Sequence, residues 1–200
     1  MSAQNSPPEQ SDGKVRSTLF KVLLPIAIIL LLVIGGLTLL KSQLPAPSRP
    51  PGTGQLAVGV TLPDFKLTPL QGPPIQASQL KSKISLINFW ATWCEACVQE
   101  MPSIVALRNT YASRGFDVVS IDVDDNPEAV VPNAVRKFGM TFPIYKDPDN
   151  KTADIFDVHA IPLTVVMNHD RKILFIESGE KDWNSADSRK QIEDWLADAK

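Results

Sequence analysis

The sequence predicts an α/β fold in which helices flank a mixed central sheet, preceded by one transmembrane helix. Three observations support this prediction. Short apolar runs typical of strands alternate with segments of helical periodicity from about residue 55 onward. An uncharged run of 19 residues precedes that region, at residues 22–40. A Cys-x-x-Cys pair, Cys94 and Cys97, stands where the first long strand passes into the first long helix.

Composition excludes several classes of protein. The chain has 200 residues, 44% of them hydrophobic, and a formal net charge of -2. It can therefore build one core, and it lacks the basic surplus of a nucleic-acid-binding protein. Cys94 and Cys97 are the only cysteines, so no disulfide framework staples the fold. The two histidines, His159 and His169, leave few soft ligands for a metal.

The uncharged run at residues 22–40 is long enough to cross a membrane. At about 1.5 Å rise per residue, the run reaches roughly 30 Å, the thickness of a hydrocarbon core. The alternative is a cleavable signal peptide, whose apolar region is shorter, about 7–15 residues, and ends at a small-residue cleavage site. We therefore predict a retained anchor at residues 19–41.

The segments around the anchor suggest its orientation. Residues 1–18 are predicted to be a disordered cytoplasmic segment, and residues 42–55 a Pro/Gly-rich linker. Three basic residues closely precede the span and two follow it, a weak bias toward a cytoplasmic N-terminus. A dithiol also suits an oxidising compartment. We expect the domain at residues 56–200 to lie on the extracytoplasmic side.

The elements of the domain follow from periodicity and capping residues. Residues 84–90 form an apolar run typical of a buried strand, and residues 94–111 have apolar residues at helical spacing. Residues 116–123 predict the next strand. Asn126 before Pro127 is a favourable helix start, and this helix is predicted to end near residue 139.

The rest of the domain continues the alternation of strands and helices. Residues 55–83 suit an N-terminal hairpin and loop. Right-handed crossovers would make the first strands parallel and the last hairpin antiparallel. We predict a short strand at 142–145, a short helix at 152–156, strands at 161–167 and 172–177, and a final helix from about Ser185.

The Cys-x-x-Cys pair predicts redox chemistry. Cys94 falls at a helix N-terminus, where unsatisfied N–H groups and the helix dipole stabilise a thiolate. Cys97 lies one turn further in and is more buried. Cys94 would therefore form the mixed disulfide with a partner, and Cys97 would resolve it.

Three alternatives to redox chemistry fit the cysteines less well. A zinc site needs two further ligands, and a c-type haem site needs His after the second cysteine, where Val98 stands. A structural disulfide closing so short a loop would restrict the unfolded chain least. The acidic residues at 122, 124 and 125 suggest a cation site, but we expect them to end a strand and flank a solvated loop.

The chain resembles the thioredoxin superfamily, and more closely its membrane-anchored TlpA/ResA/CcmG-like branch, over roughly residues 56–198. The resemblance is carried by Asn88–Cys97, Glu100-Met101-Pro102, Leu62–Phe65, residues 116–146, His159–Pro162 and Asp182–Ser185. It implies a thioredoxin fold with an N-terminal hairpin and a central αβ insertion.

The resemblance also implies a function. It indicates a protein-disulfide reductase at the inner (cytoplasmic) membrane, with its domain on the periplasmic side and no cofactor beyond the redox-active disulfide. Substrates in this branch are commonly apocytochrome c or copper-delivery proteins, and a membrane thiol carrier supplies the electrons. Protein thiol oxidation or isomerisation remains an alternative. Another is a metallochaperone module that binds metal through Cys94, Cys97 and His159.

The residues around the dithiol receive roles partly through the resemblance. It implies a cis peptide before Pro162, packed against the disulfide, with an open backbone edge at Ile161 for an incoming peptide. Trp93 is expected to shield the dithiol and contact partners. Glu100, on the Cys97 face of the helix, is a candidate proton relay. Glu95 adds negative charge near Cys94, which favours a reductant.

Asn88 strengthens the interpretation of Glu100. Ordinary thioredoxins commonly have a buried Asp at the position that Asn88 occupies here. An amide cannot titrate, so that route for a proton is absent from this chain. Glu100 is therefore predicted to substitute for it, with a solvated helix carboxylate as the alternative.

Overall fold

The computed structural model describes residues 56–199. The predicted cytoplasmic segment, anchor and linker, residues 1–55, lie outside the described residues. Within 56–199, no helix combines the length and the apolar character that a membrane crossing requires.

Seven strands and four α-helices make up the described domain, and they follow the predicted order. The strands are β1 (Lys66–Leu67), β2 (Ile75–Gln76), β3 (Ile84–Trp90), β4 (Phe116–Asp122), β5 (Ile144–Lys146), β6 (Leu163–Asn168) and β7 (Ile173–Ser178). The helices are α1 (Glu95–Tyr111), α2 (Pro127–Phe138), α3 (Lys151–Ile155) and α4 (Ala186–Asp198), with 3-10 turns at Ala77–Gln79 and Ala112–Arg114.

The main sheet is mixed, as predicted, and its strand order is β5-β4-β3-β6-β7. Strands β3, β4 and β5 pair in parallel, whereas β6 and β7 are antiparallel. Strand β3 is central and every one of its residues is buried. This explains why its sequence is a continuous apolar run rather than an alternating one. The short strands β1 and β2 form the predicted N-terminal hairpin.

Two apolar clusters cover the two faces of the sheet. One packs α1, α2 and α4 against alternate residues of the central strands, and it includes Trp90, Met101 and Val131. The other packs the N-terminal hairpin and α3 against the opposite face, where the rings of Phe65 and Phe156 are 5.1 Å apart. Both faces of β3 are therefore buried, and the dithiol at its end is anchored in a rigid scaffold.

Several predicted boundaries shift by one or two residues, and prolines explain two of the shifts. Strand β5 begins at Ile144 rather than residue 142, and β6 begins at Leu163 rather than residue 161. Pro143 and Pro162 directly precede these starts, and proline has no N–H to donate to a ladder. The helix predicted from residue 94 begins at Glu95, because Cys94 is its cap.

Candidate active site

Cys94 and Cys97 form a disulfide at the N-terminus of α1. Cys94 is the N-cap residue, and its Sγ accepts a hydrogen bond from the Cys97 backbone N–H at 3.2 Å. Cys94 is 8% exposed and Cys97 is fully buried. The sulfur that a substrate reaches is therefore that of Cys94, stabilised as a thiolate by the helix terminus. This confirms the predicted difference in burial between the two cysteines.

The loop before β6 lies against the disulfide. The peptide bond between Ile161 and Pro162 is cis, as the resemblance implied. Cys94 Sγ lies 3.8 Å from the Ile161 carbonyl oxygen, so the backbone of this loop borders the reactive sulfur. Pro162 is buried and Ile161 is partly exposed.

A groove opens beside the dithiol. Trp93 is 69% exposed and forms one of its walls, facing the loop before β6 and helix α3. The groove has a volume of about 610 Å³, and His159, Ile161 and Asp154 also line it. An indole with this exposure is not core packing, so Trp93 is available to contact a partner protein.

Glu100 is buried between α1 and the sheet, at 2% exposure. Its Oε1 accepts a hydrogen bond from Asn88 Nδ2 at 2.8 Å. Its Oε2 accepts from the Lys181 backbone N–H and from Trp183 Nε1, both at 3.4 Å. Burial raises the pKa of Glu100 to about 7, although these three hydrogen bonds lower it. The carboxyl therefore exchanges its proton near neutral pH, and it lies on the helix face of Cys97.

The raised pKa of Glu100 predicts how stability changes with pH. The ordinary pKa is 4.5 and the folded value is about 7, so the unfolded chain releases this proton first. Stability from this group is complete below pH 4.5 and declines as pH rises through 7. Glu100→Gln removes this titrating group. As pH rises from 4.5 to above 7, the free energy of unfolding of the variant should therefore increase by about 3 kcal/mol relative to that of wild type.

Urea unfolding of the oxidised proteins at pH 4.5 and pH 8 measures this gain. The other carboxyl groups are common to both proteins, so their contributions cancel. An identical pH dependence in wild type and variant would show that Glu100 titrates normally.

The side chains of Glu95 and His159, the two remaining candidate residues, are exposed. Glu95 lies in the first turn of α1, where its Oε1 accepts a hydrogen bond from Gln99 Nε2 at 3.2 Å. The His159 side chain is 80% exposed and lies 3.4 Å from an Asp157 carboxylate oxygen. His159 thus stands exposed at the groove.

The sequence alone does not reveal two groups of residues around the site. Trp183 and Lys181 reach Glu100 from more than 80 positions away, and no local pattern reveals such a contact. Asp122 ends β4 as predicted, but the solvated surroundings predicted for Asp122 and Asp124 were wrong, since they are 0% and 6% exposed. Only Asp125 of that trio is exposed.

The buried acids support the loop that carries the dithiol. Asp124 accepts hydrogen bonds from the backbone N–H of Thr92 at 2.8 Å and from its hydroxyl at 3.1 Å. The sequence signal for this contact was that both residues follow adjacent parallel strands, whose ends meet at one edge of the sheet. A capping cysteine, its buried partner and a facing cis-proline, held at that edge, define a thioredoxin-like thiol-disulfide oxidoreductase.

Comparison with known proteins agrees with this class. A family model described as Redoxin matches residues 57–195, and the chain therefore belongs to the Redoxin family. The thiol-disulfide oxidoreductase ResA of Bacillus subtilis (strain 168) is 32% identical over 128 residues, covering 64% of this chain and 71% of that protein. ResA of Geobacillus kaustophilus is 33% identical over 124 residues, 62% of this chain and 71% of its own.

Solved structures show the same fold. A thiol:disulfide interchange protein of the thioredoxin family from Chlorobium tepidum is 25% identical, with a TM-score of 0.57 over 72% of this chain and 97% of that one. A thiol:disulfide interchange protein from Bacteroides sp. is 20% identical, with a TM-score of 0.61 over 72% of this chain and 93% of that one. At this identity the likeness shows a shared fold and nothing further. The chain is thus a thiol-disulfide oxidoreductase whose redox group is the Cys94–Cys97 disulfide.

Proposed function

We propose that the protein is an extracytoplasmic reductase of disulfides in partner proteins. The observation that carries this proposal is the charge around the dithiol. Glu95 and Glu100 lie in the first two turns of α1, and no basic residue stands between Cys94 and Glu100 in the sequence. Negative charge makes a thiolate less stable, so the dithiol gives up its electrons more readily.

Glu100 completes the chemistry of the reducing direction. Cys94 attacks the substrate disulfide and forms a mixed disulfide, and Cys97 must then lose its proton to attack Cys94. Glu100 lies one helical turn from Cys97, and burial brings its pKa to about 7. It is therefore suited to take the proton of Cys97 and to return it to the departing substrate thiolate.

The cellular setting is part of the proposal. Residues 19–41 serve as a single membrane anchor, and the Pro/Gly-rich linker holds the domain away from the bilayer on the periplasmic side of the inner membrane. The substrates are disulfide-bearing proteins of the apocytochrome c or copper-delivery type, and a membrane thiol protein reloads the dithiol. This setting rests on the uncharged run at 22–40 and on the resemblance.

The reduction potential tests the direction of electron flow. The protein is equilibrated with glutathione and dithiothreitol buffers, and the cysteine state is measured by alkylation and mass spectrometry. We expect a potential near or below that of thioredoxin, about −270 mV. A potential approaching about −120 mV would instead make the protein an oxidant.

The accessibility of Cys94 tests the location. Cells that express the chain are treated with a thiol reagent that cannot cross the inner membrane, after mild reduction of the surface. Labelling of Cys94 in intact cells supports the extracytoplasmic domain. Labelling that requires cell lysis contradicts it. If the labelled chain is shorter than the full chain by the length of the anchor, the anchor has been cleaved.

Trp93 is predicted to act in protein recognition rather than in the exchange itself. Trp93→Ala removes an exposed groove wall without touching the core. We expect the rate of reduction of a protein disulfide to fall about tenfold, as for a truncated interface tryptophan, through a higher KM. Reduction of oxidised glutathione, which is too small to fill the groove, should stay nearly unchanged. Equal losses with both substrates would place Trp93 in the chemistry.

A further inference from the structure

Four buried side chains, in two residue pairs on the same face of β3 and β4, have enclosed polar atoms without a hydrogen-bond partner. These atoms are Asn88 Oδ1, Trp90 Nε1, Ser120 Oγ and Asp122 Oδ2. They are all the enclosed side-chain nitrogen and oxygen atoms in residues 56–199 for which no partner is found. Strands β3 and β4 pair in parallel with Asn88 opposite Ser120 and Trp90 opposite Asp122. Residues two apart share a face, so the four side chains lie together beneath α1.

The chemistry of these atoms suits a water molecule. Buried polar groups that lack a protein partner are generally satisfied by ordered water, which makes two to four hydrogen bonds. The indole N–H of Trp90 is a donor, and the amide oxygen of Asn88 is an acceptor. The Ser120 hydroxyl can be either. One water beside these groups would satisfy a donor and several acceptors at once.

The row formed by Asn88, Trp90, Ser120 and Asp122 connects two parts of the active site. At one end, Asn88 donates from its Nδ2 to Glu100. At the other end, Asp122 Oδ1 accepts from the Asp124 backbone N–H at 3.2 Å, and Asp124 holds the loop of Thr92. Asp122 is thus a fully buried acid that the exchange chemistry described above leaves unused.

We propose that this row binds an internal water that joins Asp122 to the Asn88–Glu100 pair, and that Asp122 is a second proton-holding group for the exchange. The proposal rests on the proposed role of Glu100. Asp122 acts through the water and Glu100 and does not touch the reacting sulfurs, so it is a positioning residue.

The protons and electrons of the resolving step balance with this arrangement. The Cys97 sulfur attacks Cys94, the Cys94–Cys97 bond forms, and the bond between Cys94 and the substrate sulfur breaks. The dithiol loses two electrons, and the substrate disulfide gains them. The proton that leaves Cys97 passes to Glu100. One proton then passes from the linked group of Glu100, the internal water and Asp122 to the substrate thiolate. Glu100 and Asp122 finish as they began.

The charged groups around Asp122 leave it neutral at pH 7. Burial, together with a side-chain hydrogen bond to Asp124 and the charge of that residue, raises the pKa of Asp122 to about 8. Lys146 is the register partner of Asp122 on β5, but its ammonium is ion-paired with Glu128 of α2. The carboxylate of Asp147 is occupied by the N–H groups at the start of α3. Glu100 faces the row from α1.

The resolving step can be measured directly with an aromatic disulfide. Reduced protein, in excess, reacts with 5,5′-dithiobis(2-nitrobenzoic acid), which releases one thionitrobenzoate when Cys94 attacks and a second when Cys97 resolves. The rate of the second release is followed against pH. Thionitrobenzoate leaves as an anion, so this rate reports how readily the buried acids take up the proton of Cys97. In wild type we expect two inflections, one near 7 from Glu100 and one near 8 from Asp122.

Three variants test the link. Asp122→Asn should lose the upper inflection and keep the lower one. Ser120→Ala removes one hydrogen-bond partner of the water and no charge, and it should also lose the upper inflection. Infrared spectroscopy of this variant should still show the Asp122 carboxyl ionising as pH rises. Asp125→Asn removes an exposed acid from the same loop and should keep both. If Asp122→Asn or Ser120→Ala retains both inflections, the proposal is overturned.

Two further measurements separate this proposal from the role of Glu100. Glu100→Gln should remove the lower inflection, and a wild-type profile there would overturn the proposed relay itself. The infrared difference between oxidised and reduced protein should contain a water band that shifts in heavy-oxygen water and is lost in Ser120→Ala. A difference spectrum without such a band counts against the internal water, whatever Glu100 does.

Discussion

Cys97→Ser should accumulate a covalent complex with a protein substrate, whereas Cys94→Ser should lose disulfide reduction entirely. Cys94 is the accessible sulfur at the helix terminus, so without it no mixed disulfide forms. Cys97 is fully buried and is positioned only to attack Cys94, so without it the mixed disulfide persists. Non-reducing electrophoresis and mass spectrometry of the adduct distinguish the two variants.

The stability of the variants provides the control for this experiment. Loss of the disulfide removes a four-residue loop closure, which is worth about 2 kcal/mol in the oxidised protein. Both variants should lose the same amount relative to oxidised wild type, so a difference in activity between them cannot come from folding. A stable adduct with Cys94→Ser and none with Cys97→Ser would reverse the assigned roles.

Asn88→Asp should destabilise the protein by about 3 kcal/mol at pH 8 and by much less at pH 5. Asn88 donates from Nδ2 to Glu100 Oε1 at 2.8 Å and to Thr164 Oγ1 at 3.1 Å, inside a fully buried site. An ionised Asp at this position has no proton to donate, and it places a second negative charge against Glu100. At pH 5 both carboxyls hold protons, because burial and the like charge raise both pKa values. The added cost therefore appears as pH rises through those values.

The double variant Asn88→Asp with Glu100→Gln is the matched control. It exchanges donor and acceptor, since the glutamine amide can donate to the aspartate carboxylate. We expect it to recover most of the stability at pH 8, and urea unfolding of the four proteins of this cycle measures the coupling between the two positions. A double variant no more stable than Asn88→Asp would show that packing, rather than charge, sets the cost.

Much of the fold could be predicted because its signals are local. The apolar run of β3, the proline that begins α2, and the glycine that ends α2 each specify an element through nearby atoms. Gly139, the C-cap of α2, has a φ of 63°, a left-handed conformation that glycine adopts without strain. The spacing of Cys94 and Cys97 likewise determined the chemistry of the site, because a helix start and a three-residue separation are sufficient to form the dithiol.

The environment of the carboxyl groups was decided by the tertiary structure alone. The sequence placed Glu100 on the Cys97 face of the helix, but its raised pKa depends on burial and on donors that come from β3 and from the segment before α4. Asp122 and Asp124 had the composition of a solvated loop, yet the sheet and the dithiol loop enclose them. Desolvation is a property of everything packed around a group, and no stretch of neighbouring residues contains that information.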